Sequence, residues 1–258
     1  MSQCLGPGVT MGSREDHALA RTIAAHTGEA LIALRRESGG MKPRDLGDEA
    51  DRVANAIILR ALEANIARGD GVLSEEHPDD SNRLMRDRVW IVDPLDGTRE
   101  FAQSGRTDWA VHIGLSIDNV ATVGAVALPA MAMVVSTGEP PPAVRPPRSS
   151  RVRLAVSRTR PPEVTGVLEE RLGCEVVAMG SAGAKAMAVV RGEVDAYVHA
   201  GGQYEWDSCA PVAVASATGL HASRLDGSPL RYNMADPYLP DLLICRPELA
   251  EPILQALG

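Results

Sequence analysis

Apolar positions recur at helical spacing through residues 14–37, where Ala18, Ile23, Ala30, Ile32 and Leu34 share a stripe that ends at Gly39-Gly40. Residues 49–68 repeat the pattern with Val53, Ile57, Ile58, Leu62 and Ile66 on one face, so two amphipathic helices open the chain. Short apolar runs at 71–74 and 88–92 fit buried strands. Trp109–Ile117 and Val120–Ala127 read as a hairpin around Asp118-Asn119, residues suited to a tight turn.

Residues 137–150 (TGEPPPAVRPPRSS) break every pattern and divide the chain into an N-terminal lobe, 1–140, and a C-terminal lobe, 141–258. After the break, strand-like 152–156 is followed by a helix from about Pro161. Strand 175–178, helix 182–191, strand 194–198, an Ala-rich helix 207–217 and a last helix 247–256 complete the reading. Hairpins in the first half imply antiparallel pairing, and alternation in the second implies an α/β sheet. A layered α/β sandwich reconciles the two.

Composition narrows the function. Of 258 residues 45% are hydrophobic but only 3% aromatic, so small aliphatic side chains must fill the core. A net charge of −8 with no offsetting basic stripe argues against nucleic acid; the basic stretch 145–160 lies around the Pro-rich break and reads as a solvated linker. Cys4, Cys174, Cys209 and Cys245 are far apart, form no CxxC pair and read as buried or incidental thiols. No membrane-spanning run or apolar leader is apparent, so a reduced, cytoplasmic setting without membrane contact is expected. Walker, GxGxxG, HExxH and GxSxG motifs are missing. The six histidines are scattered; His77, beside Glu75-Glu76, is the only one expected near the chemistry, and it reads as a plain surface residue.

Chemistry concentrates in Trp90–Thr98. A buried strand delivers Asp93 at its end, Pro94 holds the turn extended, and Gly97 lets backbone amides approach a ligand. Asp96 is expected to cap a short helix running toward Phe101. Glu75-Glu76 follows the 71–74 strand, and Asp207 opens the Ala-rich helix. Gathered together, four carboxylates would repel strongly, by about 4 kcal/mol per pair at ~4 Å and an effective dielectric of ~20. Divalent cations would relieve this, and a donor set made only of oxygen favours Mg²⁺ over Zn²⁺.

The segments Leu73-Ser74-Glu75-Glu76, Asp93-Pro94-Leu95-Asp96-Gly97-Thr98 and Glu205-Trp206-Asp207 resemble the three signature motifs of the lithium-sensitive, Mg²⁺-dependent phosphatase superfamily, which holds inositol monophosphatases, fructose-1,6-bisphosphatases and 3′(2′),5′-bisphosphate nucleotidases. Gly180–Lys185, Trp206–Pro211 and Gly227–Asn233 are similar to segments of the CysQ-type nucleotidases. Arg160 departs from them, standing where their SRSH motif has histidine. His199 stands where inositol monophosphatases carry a glutamate, which argues against inositol phosphate.

The resemblance implies an αβαβα sandwich of the inositol monophosphatase and fructose-1,6-bisphosphatase type, and Mg²⁺-dependent removal of the 3′-phosphate from adenosine 3′,5′-bisphosphate (3′-phosphoadenosine 5′-phosphate), with its sulfated relative a further candidate, in sulfur assimilation. It implies two to three Mg²⁺ ions held by Glu75, Asp93, the Leu95 carbonyl, Asp96 and Asp207. Glu75, Asp51 and Thr98 would act in catalysis, with Thr98 polarised by Asp51 to orient the attacking water. Gly97, Thr98, Arg158, Ser181, Gly183, Lys185 and Asp207 would meet the substrate. A homodimer stays open. A sugar or inositol phosphatase of the same superfamily and a nucleotide sensor without turnover are the other readings.

Overall fold

The computed structural model describes residues 12–66, 69–79, 81–142 and 151–258. Helix α1 (Arg14–Glu37) starts at a reciprocal cap: the Ser13 hydroxyl accepts from the Asp16 amide at 3.1 Å, and the Asp16 carboxylate accepts from the Ser13 amide at 2.8 Å. Helix α2 (Pro43–Asn65) begins six residues before the expected start, because Pro43 occupies a first-turn position where a missing N–H costs nothing. The last residues of the expected 49–68 helix, 67–68, lie outside the described residues.

Strand β1 (Gly71–Ser74) runs parallel to β2 (Arg88–Asp96), which pairs antiparallel with β3 (Ala110–Ile117). The β3–β4 hairpin (β4, Val120–Leu128) turns at Asp118-Asn119, both left-handed as a tight hairpin requires. The β2 strand continues past Val92 to Asp96, through Pro94. Proline is tolerated there because β1 pairing has ended at Val92 and the β3 register slips between Asp93 and Asp96. Strand β5 (Met133–Ser136), which the hydrophobic pattern did not reveal, completes a sheet of order β1-β2-β3-β4-β5.

The second sheet has the order β7-β6-β8-β10-β9 and mixes parallel with antiparallel pairs. Strands β6 (Arg153–Ser157) and β7 (Glu175–Met179) lie about where periodicity placed them. Between them α4 (Val164–Leu172) starts three residues after Pro161. Helix α5 (Ala182–Val190) follows, and β8 (Ala196–Tyr204) runs well beyond the expected 194–198. Helix α6 (Glu205–Ala217) precedes β9 (His221–Ser223) and β10 (Tyr238–Cys245), both unforeseen; α7 (Pro247–Leu257) ends the chain. In β10, Pro240 and a register shift between Leu239 and Asp241 break the alternation that would have announced a strand.

The layers follow from which faces are apolar. Helices α1 and α2 cover one face of the first sheet through Ala20, Ile23, Leu31, Ala54 and Ile58. Helices α5 and α6 are almost wholly buried, because they lie between the two sheets, and small residues such as Ala210 and Ala213 let α6 sit close to both. Helices α4 and α7 cover the far face of the second sheet with Leu168, Ala250 and Ile253. The arrangement is an αβαβα sandwich. Cys209 and Cys245 are buried and Cys174 half-buried, all as free thiols; Cys4 lies outside the described residues.

Candidate active site

The end of β2 and the start of α6 converge at the seam between the sheets. Asp93, Asp96 and Asp207 each place a carboxylate oxygen so that all three lie within 4.8 Å of one another. Asp93 is buried and turned back on its own chain, its Oδ1 accepting from the Leu95 amide at 3.1 Å. Asp207 is the third residue of α6, not the first, and its Oδ2 accepts from the Tyr204 amide at 2.8 Å, which ties it to the helix entry.

Asp96 does not cap the short helix α3 (Thr98–Ala102). Gly97, left-handed at φ 88°, takes the cap position without any side-chain bond, because Asp96 is still strand. The Asp96 carboxylate instead crosses to the second half of the chain. Its Oδ2 accepts from the Ser181 hydroxyl and from the Gly183 amide, both at 2.6 Å.

Electrostatics sorts these acids. Burial, then the charges of Glu75, Asp96 and Asp207, holds Asp93 well above the usual carboxylate range. Burial and the charge of Asp96 push Asp207 up to about 7. Asp96 goes the other way: burial opposes its charge, but His112, Lys185 and the Ser181 hydroxyl outweigh that and hold it below the ordinary value. A cluster of carboxylates this close favours a cation among them. Its all-oxygen donors suit a hard divalent cation.

Glu75 follows β1 and lines the same cleft; it keeps solvent access, yet partial burial and the charges of Glu76, Asp96 and Asp51 push it up to about 7. The Thr98 hydroxyl stands 3.2 Å from the Leu95 carbonyl and 3.5 Å from Asp51 Oδ1. Burial and the charges of Glu76 and Asp48 raise Asp51 to about 7. All the expected acidic residues are therefore brought together. His77 is exposed, as expected.

At the acids opens a polar cleft of about 340 Å³, lined by Glu75, Asp96, Gly97, Thr98, Ser181, Lys185 and Asp207 together with Arg160, His199 and Gln203. The expected substrate contacts are variously engaged. Ser181 and Gly183 donate to Asp96. The buried Lys185 ammonium donates to the Gly180 and Ser181 carbonyls at 2.6 and 2.7 Å. Arg158 pairs with Glu100 of α3 at 2.5 Å across the seam. His199 Nε2 is buried without a hydrogen-bond partner among the described residues, and burial, with the charge of Lys185 nearby, pushes its pKa down to about 4.

Sequence reading missed His112. It is fully buried beneath the acids, with Nε2 at 3.2 Å from Asp96 Oδ2 and Nδ1 at 3.1 Å from the Trp206 carbonyl. The available signal was its place in β3, directly across from Asp93 in the ladder. In sequence it is 16 residues beyond Asp96, so no motif contains it.

Residues 14–257 match the model of the inositol monophosphatase family. The chain is 54% identical over 250 residues, covering 93% of this chain and 92% of the other, to a protein of Mycobacterium leprae (strain TN) named 3′-phosphoadenosine 5′-phosphate phosphatase. It is 29% identical over 237 residues to the 3′(2′),5′-bisphosphate nucleotidase CysQ of Escherichia coli (strain K12), covering 84% of this chain and 94% of that one. Among solved structures it is similar in fold to CysQ from Bacteroides thetaiotaomicron, with TM-score 0.76, 24% identity, and 90% and 97% of the two chains covered. Inositol monophosphatase II from Staphylococcus aureus MSSA476 gives TM-score 0.75 at 21% identity, with 94% and 96% covered.

Proposed function

The chain belongs to the inositol monophosphatase family, and on that premise we propose that it is a cation-dependent phosphatase that removes the 3′-phosphate of adenosine 3′,5′-bisphosphate. The observation that carries this reading is the meeting of Asp93, Asp96 and Asp207, from both halves of the chain, under one polar cleft. The 54% identity to a protein named for this activity supports the substrate.

Glu75, Asp93, the Leu95 carbonyl, Asp96 and Asp207 are proposed to hold two to three Mg²⁺ ions. When bound, the ions lower the pKa of water, orient the phosphate and neutralise the departing oxygen. The chain does the rest. Thr98, whose hydroxyl stands 3.5 Å from Asp51 Oδ1, orients the attacking water with Asp51 as its proton acceptor. Gly97 and Thr98, at the start of α3, line the cleft, and their amides are proposed to receive the phosphate oxygens. Lys185 fixes the Gly180–Ser181 turn on which the nucleotide would rest, with Arg158 alongside. No covalent phospho-enzyme is required, so no serine, cysteine or histidine nucleophile is assigned.

His199 supports a nucleotide over inositol phosphate, since a neutral imidazole lines the cleft where a carboxylate would be needed for sugar hydroxyls. Free thiols at Cys174, Cys209 and Cys245 accord with a cytoplasmic setting. No helix among the described residues is long and apolar enough to cross a membrane. The lobes 1–140 and 141–258 are proposed as folding units, each built around one sheet. A homodimer is the assembly to examine by light scattering.

The deciding assay measures Mg²⁺-dependent phosphate release from adenosine 3′,5′-bisphosphate, fructose 1,6-bisphosphate and inositol monophosphate. The nucleotide should give the highest kcat/KM. Equal or better turnover of the sugar phosphates overturns the substrate, and no turnover on any of them points to a sensor.

A further inference from the structure

His112 lies against Asp93, Asp96 and the residue before Asp207. In the β2–β3 ladder it stands across from Asp93, with Nδ1 3.9 Å from Asp93 Oδ2. The same Nδ1 is 3.1 Å from the Trp206 carbonyl, the residue before Asp207. A carbonyl only accepts, so Nδ1 carries a hydrogen there. The opposite nitrogen, Nε2, stands 3.2 Å from Asp96 Oδ2 as an ion-pair contact, without hydrogen-bond geometry to any described residue.

On one side the ring lies hard against α5. A methyl group added at Gly183 would come within 2.1 Å of Nε2 and 3.0 Å of Cδ2, so the imidazole fills the space up to the α5 backbone. Ser181, Gly183 and His112 thus crowd one oxygen of Asp96, and the other oxygen is left clear of these contacts. A buried histidine in a mostly apolar layer needs polar partners. Those it has are the main chain beside one proposed cation ligand and the carboxylate of another.

We propose that His112 is a positioning residue that fixes the separation of Asp96 on β2 from Asp207 on α6, and with it the affinity of the site for its cation. This rests on the reading of the three aspartates as a cation site. It acts through those carboxylates and does not touch substrate. Groups that support metal ligands in this way commonly change affinity by about 10–100-fold when removed.

The test is calorimetric titration of the full chain with Mg²⁺, comparing the wild type with His112→Leu and His112→Gln, beside their melting temperatures in chelator. His112→Leu, which keeps bulk but loses both polar contacts, should weaken Mg²⁺ binding about 10-fold or more. His112→Gln, whose amide keeps a polar group beside Asp96, should recover most of it. At saturating Mg²⁺ the KM for the bisphosphate should stay unchanged in both. A lowered melting temperature with unaltered Mg²⁺ affinity in both variants overturns the proposal, leaving His112 as packing. If His112→Leu does not fold, His112→Asn, too short to span both partners, replaces it with the same expected loss. Absence of Mg²⁺ binding in the wild type would sink the cation-site reading itself, and is told apart because the variants then have nothing to lose.

Discussion

The Ser181 hydroxyl donates to Asp96 Oδ2 at 2.6 Å while accepting from the Ala184 amide at 3.0 Å, so one oxygen caps helix α5 and anchors an acid carried by the other sheet. The backbone at Ser181 is left-handed, φ 27°, an unfavourable conformation for a residue with a side chain. Lys185 gathers the Gly180 and Ser181 carbonyls and holds it there. The second half of the chain thereby determines where an acid of the first half points.

Ser181→Ala removes both bonds. The cap and the buried acceptor together should cost about 1–3 kcal/mol, read as a lower urea midpoint. Mg²⁺ should also protect this variant less than the wild type, because Asp96 loses a donor that orients it. Unchanged stability would mean that water replaces the hydroxyl at no cost.

Metal-free protein should lose stability as pH rises. Asp51, Glu75 and Asp207 have folded-state values of about 7, above their ordinary 3.8, 4.5 and 3.8. The folded form thus binds protons more tightly than the unfolded chain, and this contribution is whole below about pH 4 and gone once pH passes about 7. Melting curves in chelator should fall from pH 5 to 8 and then level off. Mg²⁺ should raise the melting temperature more at pH 8 than at pH 5; an equal rise at both would contradict the geometry described.

Asp93→Asn takes a charge from the most crowded position in the group, where burial and three other acids oppose it. Activity should drop to background. In chelator at pH 8 the variant should melt at or above the wild-type temperature, since the amide relieves repulsion, and its gain from Mg²⁺ should vanish. A variant that melts lower in chelator yet keeps the Mg²⁺ gain would remove Asp93 from the cation site.

Lys185→Met should impair the nucleotide and a small phosphate ester alike. The ammonium is spent on two carbonyls and lies 5.1 Å over the Tyr197 ring, so its loss loosens the turn that serves every substrate. Arg160→Ala, in the lining of the cleft, should raise KM for the bisphosphate more than for the small ester. Steady-state kinetics on both substrates decides this. If Lys185→Met instead harms the nucleotide alone, Lys185 reaches the ligand directly.

Local signals made α1, the β3–β4 hairpin and the acid-bearing segments readable, because amphipathic period, turn chemistry and a carboxylate at a strand end depend on neighbours in sequence. The site's donor types were legible for the same reason. Contacts over long separations were not. The oxygen of Asp96 bonds partners 85 and 87 residues away, and His112 reaches Trp206 across 94, so the expected helix cap at Asp96 and the apparent irrelevance of His112 both had to be corrected. Only once α5 and α6 are pressed between the sheets do these groups share one desolvated space. There, a hydrogen bond across the seam outweighs the helix cap that Asp96 would otherwise make.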